Sequence, residues 1–257
     1  MDKLTFLGTG DSMAVPRVYC RCNVCEEART SGINRRLRSS VLVESHHEHF
    51  MIDCGPSWRE QMEQQQRTDL DHLLITHAHY DHIGGLPEYA DLCRWLRKKG
   101  NVYASPEVIE QLRTIYPWLE NNVSYHPVDG HLNQWGWSIT CWKVSHGHNG
   151  FSYAYRFDKP DFAWAYCPDS INLSAKEKRP LYELDLLILG TSFYKEEAPF
   201  HSRSLYDIVE ALELLNEIRP AYTCFTHLSH GIDWREDYGL PPNCRLAKEG
   251  LSLLLAK

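Results

Sequence analysis

Short runs of alternating polar and apolar residues recur along the chain and end at polar or glycine-containing turns. Residues 3–7 alternate in this way and stop at Gly8-Thr9-Gly10, which predicts a strand followed by a tight turn. Residues 40–44 and 49–53 predict a hairpin with a polar turn at residues 45–48, which include His46 and His47. Further strands are predicted at residues 72–76, 102–104, 138–144, 152–157, 162–166, 186–189, 222–226 and 250–256.

Between these strands, apolar residues recur every three or four positions, as they do on one face of a helix. This period predicts helices at residues 58–66, 89–99, 107–115 and 203–218. Ser57 and Glu60 have the spacing of a capping box at the start of the first helix. The apolar stripe of the last helix consists of Leu205, Ile208, Val209, Leu212 and Leu215.

Strands and helices alternate without a repeat or a low-complexity linker, which favours a single α/β domain over residues 1–257. A chain of this length, with 43% hydrophobic residues, can bury a core without disulfide bonds. Residues 11–38 depart from the pattern because they are rich in Cys and Arg and show little periodicity. We predict that they form a long loop.

The charge pattern argues against several classes of partner. The net charge is −7 and no long block of Lys or Arg occurs, so we expect no extended nucleic-acid surface. A small basic patch remains around Arg35, Arg36 and Arg38. No apolar run approaches the ~18 residues that span a bilayer, and the first residues lack the features of a signal peptide. We therefore expect a cytoplasmic protein without a membrane partner, and a homodimer stays open.

Histidine is the most informative residue type in this chain. There are fourteen histidines, several of them clustered, whereas the nine cysteines are odd in number and argue against a disulfide framework. The densest cluster is THAHYDH at residues 76–82, directly after a predicted strand. Imidazole and carboxylate ligands so close together suit Zn, Mn or Fe, and such a mixture can hold two ions. The alternative is a polar surface turn that happens to be rich in histidine.

This His-x-His-x-Asp-His motif after a short strand resembles the metallo-β-lactamase superfamily. The resemblance extends to three later positions that follow predicted strands, namely His146, Asp169 and His227. It implies an α/β fold, the four-layer αββα sandwich of that superfamily, with Asp53 supporting the ligands. Taken alone, His146 competes with its neighbour His148, and Asp169 is alternatively a turn residue after a proline.

The resemblance also implies how two divalent ions, Mn or Zn or else Fe, would be bound. One ion is assigned to three histidines and the other to an Asp-His-His set, with one aspartate bridging. The first ion would be bound by His77, His79 and His146, and the second by Asp81, His82 and His227. The bridging aspartate would be Asp169.

A second motif, CRCNVC at residues 20–25, places three thiols within six positions of a polar loop. Tetrahedral zinc with three Cys ligands and one His ligand fits this spacing better than burial of the thiols does. We predict a structural zinc site formed by Cys20, Cys22, Cys25 and, as the fourth ligand, His230. Together with Gly8-Thr9-Gly10, this motif makes the chain similar to the PhnP-type phosphodiesterases.

The PhnP-type resemblance implies a dinuclear phosphodiesterase that hydrolyses a small cyclic or ribosyl phosphodiester by a metal-bound hydroxide. Asp81 is assigned a catalytic role as a metal ligand. An alkoxide leaving group also needs a proton, and His201 lies before the predicted helix 203–218, where these enzymes place a catalytic histidine. The alternative is that His201 is an ordinary surface-loop residue.

Three other functions stay open because a fold does not fix a reaction. The first is a metal-dependent thioester or ester hydrolase. The second is an enzyme like the nucleases that process tRNA 3′ ends, although the chain offers no basic arm for RNA. The third is a metal-binding biosynthesis protein that hydrolyses nothing.

Overall fold

We describe the chain from a computed structural model, which covers residues 2–45 and 48–256. The predicted polar turn at residues 45–48 lies partly outside this range, because His46 and His47 are not among the described residues. Within the range, the strands form two sheets of seven strands each.

The first sheet is built mainly from the first half of the chain. Its strands are β1 (Lys3–Gly8), β2 (Ser40–Ser45), β3 (Glu48–Ile52), β4 (His72–Leu74), β5 (Gly100–Ala104) and β6 (Val123–Pro127), joined at the edge beside β1 by β14 (Ser252–Leu254). Pairing is antiparallel from β14 to β3 and parallel from β3 to β6. The parallel strands therefore end at one edge of the sheet.

The second sheet has the same division into an antiparallel and a parallel half. Its strands are β7 (His131–Gln134), β8 (Trp137–Ser145), β9 (Phe151–Asp158), β10 (Ala163–Cys167), β11 (Leu186–Gly190), β12 (Tyr222–Thr226) and β13 (Cys244–Leu246), paired in that order. Strands β7 to β10 are antiparallel, and β10 to β13 are parallel.

The helices are α1 (Asn23–Thr30), α2 (Trp58–Gln64), α3 (Tyr80–Ile83), α4 (Leu86–Trp95), α5 (Pro106–Ile115), α6 (Ala175–Lys178) and α7 (Ile208–Ile218). Short 3₁₀ turns occur at Leu119–Asn121, Gly147–Asn149, Arg179–Leu181 and Phe200–Ser202.

Central strands such as β10 and β11 are buried on both faces, and their apolar side chains form three large clusters between four layers. Side chains from both sheets meet between them, where the Phe157 and Trp164 rings stack with their centroids 4.0 Å apart. The outer face of the first sheet packs on α2, α4 and α5, and the outer face of the second packs on α7. The predicted αββα sandwich is confirmed.

Several local predictions differ from the structure. The last helix begins at Ile208 rather than at residue 203, because Asp207 and Glu210 form a capping box there. The buried face of this helix includes Ile208, Ala211 and Leu215. Val209 and Leu212, which the predicted stripe included, are only partly buried. The Ser57 side chain does not cap α2; its Oγ accepts the Arg38 N–H instead, at 3.4 Å.

The remaining differences concern elements with weak sequence signals. The predicted loop at residues 11–38 contains the short helix α1, and the last strand covers only Ser252–Leu254 of residues 250–256. Strands β6, β7 and β13 were not predicted. No helix in the described residues is both long enough and apolar enough to cross a membrane.

Candidate metal centre

The polar residues predicted to bind metal lie just beyond strand ends at a shared edge of the two sheets. His77 and His79 follow β4, and Asp81 and His82 lie on α3, which comes next along the chain. In the second sheet, the carboxyl ends of three strands are followed by His146 after β8, Asp169 after β10 and His227 after β12.

Four of these residues form a first cluster. The ligand atoms of His77, His79, His146 and Asp169 all lie within 4.8 Å of one another. Asp169 Oδ2 is 3.6 Å from His77 Nε2 and 3.3 Å from His146 Nε2. His79 is half-buried, whereas the other three side chains are buried.

The second cluster consists of Asp81, His82 and His227, whose ligand atoms also lie within 4.8 Å of one another. Asp169 reaches this cluster as well, since its Oδ2 is 3.5 Å from His82 Nε2 and its Oδ1 is 3.5 Å from His227 Nε2. One carboxylate therefore lies between the two clusters, which is the position of a bridging ligand.

The donor atoms fit two divalent cations. His82 Nε2 and Asp169 Oδ1 are buried without a hydrogen-bond partner, and such groups are costly unless something else satisfies them. His77 Nε2 and His79 Nδ1 lie only 2.8 Å apart, a separation that needs a proton or a cation between the two nitrogens. Imidazole and carboxylate ligands suit Zn, Mn and Fe. The number and identity of the ions stay predictions.

A set of neighbouring groups fixes the orientation of the ligand rings. His82 Nδ1–H donates to Asp53 Oδ2 at 2.7 Å, and Thr76 donates to Asp53 Oδ1 from both its backbone N–H and its hydroxyl. Thr76 Oγ1 is also 3.0 Å from His77 Nδ1. His146 Nδ1–H donates to the Ser204 carbonyl oxygen at 2.8 Å. These bonds leave the Nε2 atoms of the three rings facing the clusters, as metal ligands require.

Sequence reasoning identified Asp53 but missed three of the supporting residues. Thr76 directly precedes the histidine motif, and that position was the available signal. Ser39 Oγ accepts the backbone N–H of His227 at 3.0 Å, and Ser204 supplies the carbonyl that holds His146. Neither serine carries a sequence signal, because both contacts join residues far apart in the chain.

Burial and charge divide the histidines into two kinds. Burial lowers the pKa of His77, His79 and His146, which favours neutral rings that can bind a cation. Burial also opposes a charge on His227 and His82, but neighbouring carboxylates outweigh it. Asp169 and Asp81 raise the pKa of His227 to about 9, and Asp81 and Asp169 hold the pKa of His82 well above its usual value.

The structure does not bring every predicted site residue into the centre. His201 is exposed on the 3₁₀ turn Phe200–Ser202, and among the described residues no hydrogen bond or ion pair joins its side chain to the clusters. Its turn nevertheless lies against the one that follows His146, because His148 N–H donates to the Arg203 carbonyl at 3.0 Å. His148 itself is exposed, so His146 is the histidine that faces the centre.

The cysteine motif forms a separate cluster. The Sγ atoms of Cys20, Cys22 and Cys25 lie 3.3, 3.5 and 3.6 Å from His230 Nδ1. All four ligand atoms lie within 4.8 Å of one another, as tetrahedral zinc requires. The structure therefore brings together the four residues chosen from the sequence, and zinc binding there stays a prediction.

A cavity of about 650 Å³ opens beside the first cluster. Residues 77–79 form one wall, and residues of α5 and residues 149–151 form the rest. Its lining is mixed, with apolar side chains such as Ile115 and Phe151 beside polar ones such as Gln111. Neither Lys nor Arg is among the described residues that line it.

Comparisons with known proteins agree with this geometry. A sequence profile of the beta-lactamase superfamily domain matches residues 48–228. The crystal structure of a new diphosphatase from the PhnP family is similar at 28% identity with a TM-score of 0.86, over 98% of this chain and 96% of that one.

Two curated relatives are longer than this chain. An octanoyltransferase of Porphyromonas gingivalis is 27% identical over 97% of this chain and 51% of its own length. A ribonuclease Z of Methanococcus maripaludis is 30% identical over 51% of this chain and 36% of its own length. The chain thus spans about half the length of the first relative, and its match covers about a third of the second.

Replacing one cysteine tests the zinc site. We expect Cys22→Ser to lose about one zinc per chain and to lower the Tm by roughly 5–10 °C, because a structural zinc contributes to folding. Elemental analysis and thermal unfolding measure both effects. The control is Cys244→Ser, which removes a buried thiol on β13 and should keep the zinc. Unchanged zinc content in Cys22→Ser would show that these thiols bind no metal.

Metal binding to the centre should release protons. With a pKa of about 9, His227 is protonated near pH 7.5 in the metal-free protein, and it must lose its proton to become a ligand. Metal affinity should therefore rise with pH up to about 9. Calorimetric titration with Mn²⁺, which suits the imidazole and carboxylate centre rather than the thiols, counts the protons in two buffers of different ionisation enthalpy. We expect release of at least one proton, from His227 and from His82, whose pKa is also raised. A binding heat that is equal in both buffers would contradict this assignment.

Proposed function

Since the chain belongs to the beta-lactamase superfamily, whose members are generally metal-dependent hydrolases, we propose that it hydrolyses a small phosphodiester. The observation that carries the proposal is the pair of ligand clusters that share Asp169. The similarity to a PhnP-family diphosphatase at 28% identity supports a phosphate ester over other substrates. A cyclic or ribosyl phosphodiester is the preferred class.

The bound ions and the residues around them would have different roles in hydrolysis. Two bound divalent ions would lower the pKa of a water molecule and neutralise charge on the attacking and leaving oxygens. The chain itself holds the ligand rings in place, through Asp53 and Thr76 on one side and the Ser204 carbonyl on the other. Burial of the clusters excludes other water, which strengthens every electrostatic interaction with a phosphate.

The cavity supports a small substrate rather than a polymer. Its volume of about 650 Å³ suits the organic group of a small ester bound beside His77 and His79. RNA would need Lys or Arg side chains along its phosphates, whereas this lining carries Glu107 and Glu110. Phe151 offers an apolar surface for a sugar or a base.

His201 would supply the proton to the leaving oxygen. Its 3₁₀ turn packs against the turn after His146, so the exposed ring lies on a segment that neighbours the centre. Catalytic hydrogen bonds are often absent until a substrate is present. The role of His201 is therefore proposed from its position in the chain and in the fold.

RNA processing is the second candidate, because the ribonuclease Z of Methanococcus maripaludis is 30% identical over half of this chain. The experiment that separates the candidates uses metal-reconstituted protein and four substrates: bis-(p-nitrophenyl) phosphate, a diphosphate diester, an acyl thioester and a tRNA precursor. We expect metal-dependent turnover of the first two. Hydrolysis of the precursor or the thioester alone would replace the proposal, and no hydrolysis at all would reject it.

An Asp81→Ala variant shows whether this centre does the chemistry. Asp81 belongs to the second cluster, so its loss should reduce turnover by at least about 100-fold, in line with the effect of losing a metal's coordination or its orientation. The matched control is Asp129→Ala, a carboxylate on the loop between β6 and β7. Equal activity of Asp81→Ala and the unaltered protein would place the reaction elsewhere.

The leaving group tests the role of His201. We expect His201→Ala to reduce turnover of an alkyl phosphodiester by roughly 10²–10⁴-fold with both metals still bound, because an alkoxide cannot depart without a proton. The loss should be much smaller for p-nitrophenolate, a stable anion. His131→Ala, an exposed histidine on β7, is the control. Equal losses for both leaving groups would show that His201 binds the phosphate and donates no proton.

A further inference from the structure

Arg203 is a buried charged residue to which the proposed function assigns no role. Its side chain is only 6% exposed, and it lies between the 3₁₀ turn that carries His201 and helix α7. A guanidinium is seldom buried so fully without a demanding set of partners. Both its side chain and its backbone meet such partners.

The guanidinium group joins three carboxylates. Its Nη1 and Nη2 atoms form a fork to the two oxygens of Glu210 at 2.8 and 2.6 Å. The Nη2 atom is also 3.3 Å from Asp207, and Nε donates to Glu196 at 3.1 Å. Because Asp207 and Glu210 form the capping box of α7, Arg203 is fastened to the first turn of that helix.

The backbone of the same segment touches the metal centre. The Arg203 carbonyl accepts the His148 N–H at 3.0 Å, and the adjacent Ser204 carbonyl accepts His146 Nδ1–H at 2.8 Å. Tyr206 N–H donates to the carbonyl of Ser170, the residue after Asp169, at 3.0 Å. Residues 203–206 therefore contact one ligand of the first cluster, His146, and the residue that follows another, Asp169.

The approach of this segment to the His146 turn leaves no spare room. A Cβ atom at Gly147 would lie 2.3 Å from the Arg203 carbonyl oxygen, and Gly147 has a φ of +55°. Only glycine fits both conditions without strain. A shift of residues 203–204 would therefore change the position of the carbonyl that orients His146.

We propose that Arg203 is a positioning residue for the metal centre, which holds the Ser204 carbonyl at the place where it orients the His146 ring. A fixed acceptor at Nδ1 keeps the proton on that nitrogen and directs Nε2 toward the first cluster. The inference rests on the metal centre of the proposed function. The ion pairs of Arg203 would then position a metal ligand as well as stabilise the fold.

A second arginine provides a matched control. Arg156 on β9 is also mostly buried; its Nε donates to Asp158 at 2.9 Å and its Nη1 donates to the Pro180 carbonyl at 2.8 Å. Its Nη1 also donates to the Tyr182 carbonyl at 2.6 Å. Within the described residues, no hydrogen bond or ion pair joins these partners to the ligand clusters. A role limited to folding would therefore give Arg156→Met and Arg203→Met the same phenotype.

The experiment measures metal affinity rather than activity. The protein and its variants Arg203→Met, Arg203→Lys and Arg156→Met are titrated with Zn²⁺ against a competing chelator, and Co²⁺ spectra report the ligand geometry. We expect Arg203→Met to weaken one of the two ions at the centre by about 10–100-fold and to alter the Co²⁺ spectrum. Arg203→Lys keeps the charge but cannot form the two parallel hydrogen bonds to Glu210. Its metal affinity should lie between that of the unaltered protein and that of Arg203→Met. Arg156→Met should lower the Tm with unchanged affinity.

The outcomes separate this inference from the proposed function. Unchanged affinity and spectrum in Arg203→Met, with two ions bound, would overturn the positioning role and leave the hydrolase proposal intact. A parallel loss of affinity in Arg156→Met would assign the effect to general destabilisation and overturn the role as well. An unaltered protein that binds no metal at the centre would overturn both proposals. If Arg203→Met does not fold, Arg203→Lys and Glu210→Gln are compared in the same titration, and full affinity in both overturns the role.

Discussion

A buried carboxylate persists only where positive or hydrogen-bonding groups surround it, and the Asp169 side chain imposes this requirement on the rest of the structure. It is 2% exposed, and four imidazole nitrogens lie 3.3 to 3.6 Å from its oxygens. These rings follow β4, β8 and β12 or lie on α3, so they meet only because both sheets present those ends at one edge. Gly190 lets the backbone next to Asp169 approach closely, since a Cβ at Gly190 would lie 1.4 Å from the carbonyl oxygen of Pro168, the residue before Asp169.

The ligands were predictable because they lie in one dense motif after β4 or within two residues of the ends of β8, β10 and β12. Histidine and aspartate side chains at such places have few other uses. The resemblance to the metallo-β-lactamase superfamily, and to its PhnP-type group, is confirmed by the profile match and by the similar solved structure. Strands such as β7 escaped prediction, because none of its residues is fully buried and its sequence lacks an apolar side. The start of α7 was misplaced because Leu205 is buried in the segment before the helix, which extended the apparent period.

The supporting shell could not be found in the sequence for a different reason. Its contacts join residues that the chain separates widely, such as Ser39 with His227 and Ser204 with His146. These two contacts use the backbone N–H of His227 and the backbone carbonyl of Ser204. Every residue has a backbone carbonyl, and every residue except proline has a backbone N–H. In each contact one partner is a backbone group, so side-chain identity does not show which residue supplies it. Only the packing of the two sheets shows which serine or which arginine lies beside a ligand.

His227 and His230 belong to different candidate metal sites, yet only Leu228 and Ser229 separate them. That short link is fixed on both sides, because Leu228 N–H donates to the Thr9 carbonyl at 2.7 Å and Ser229 N–H donates to the Ser192 carbonyl at 2.9 Å. The two-residue spacing therefore fixes the distance between one ligand of each site. Inserting or deleting a single residue here would displace a ligand from one site or from the other, so the length of this link couples the geometry of the two sites.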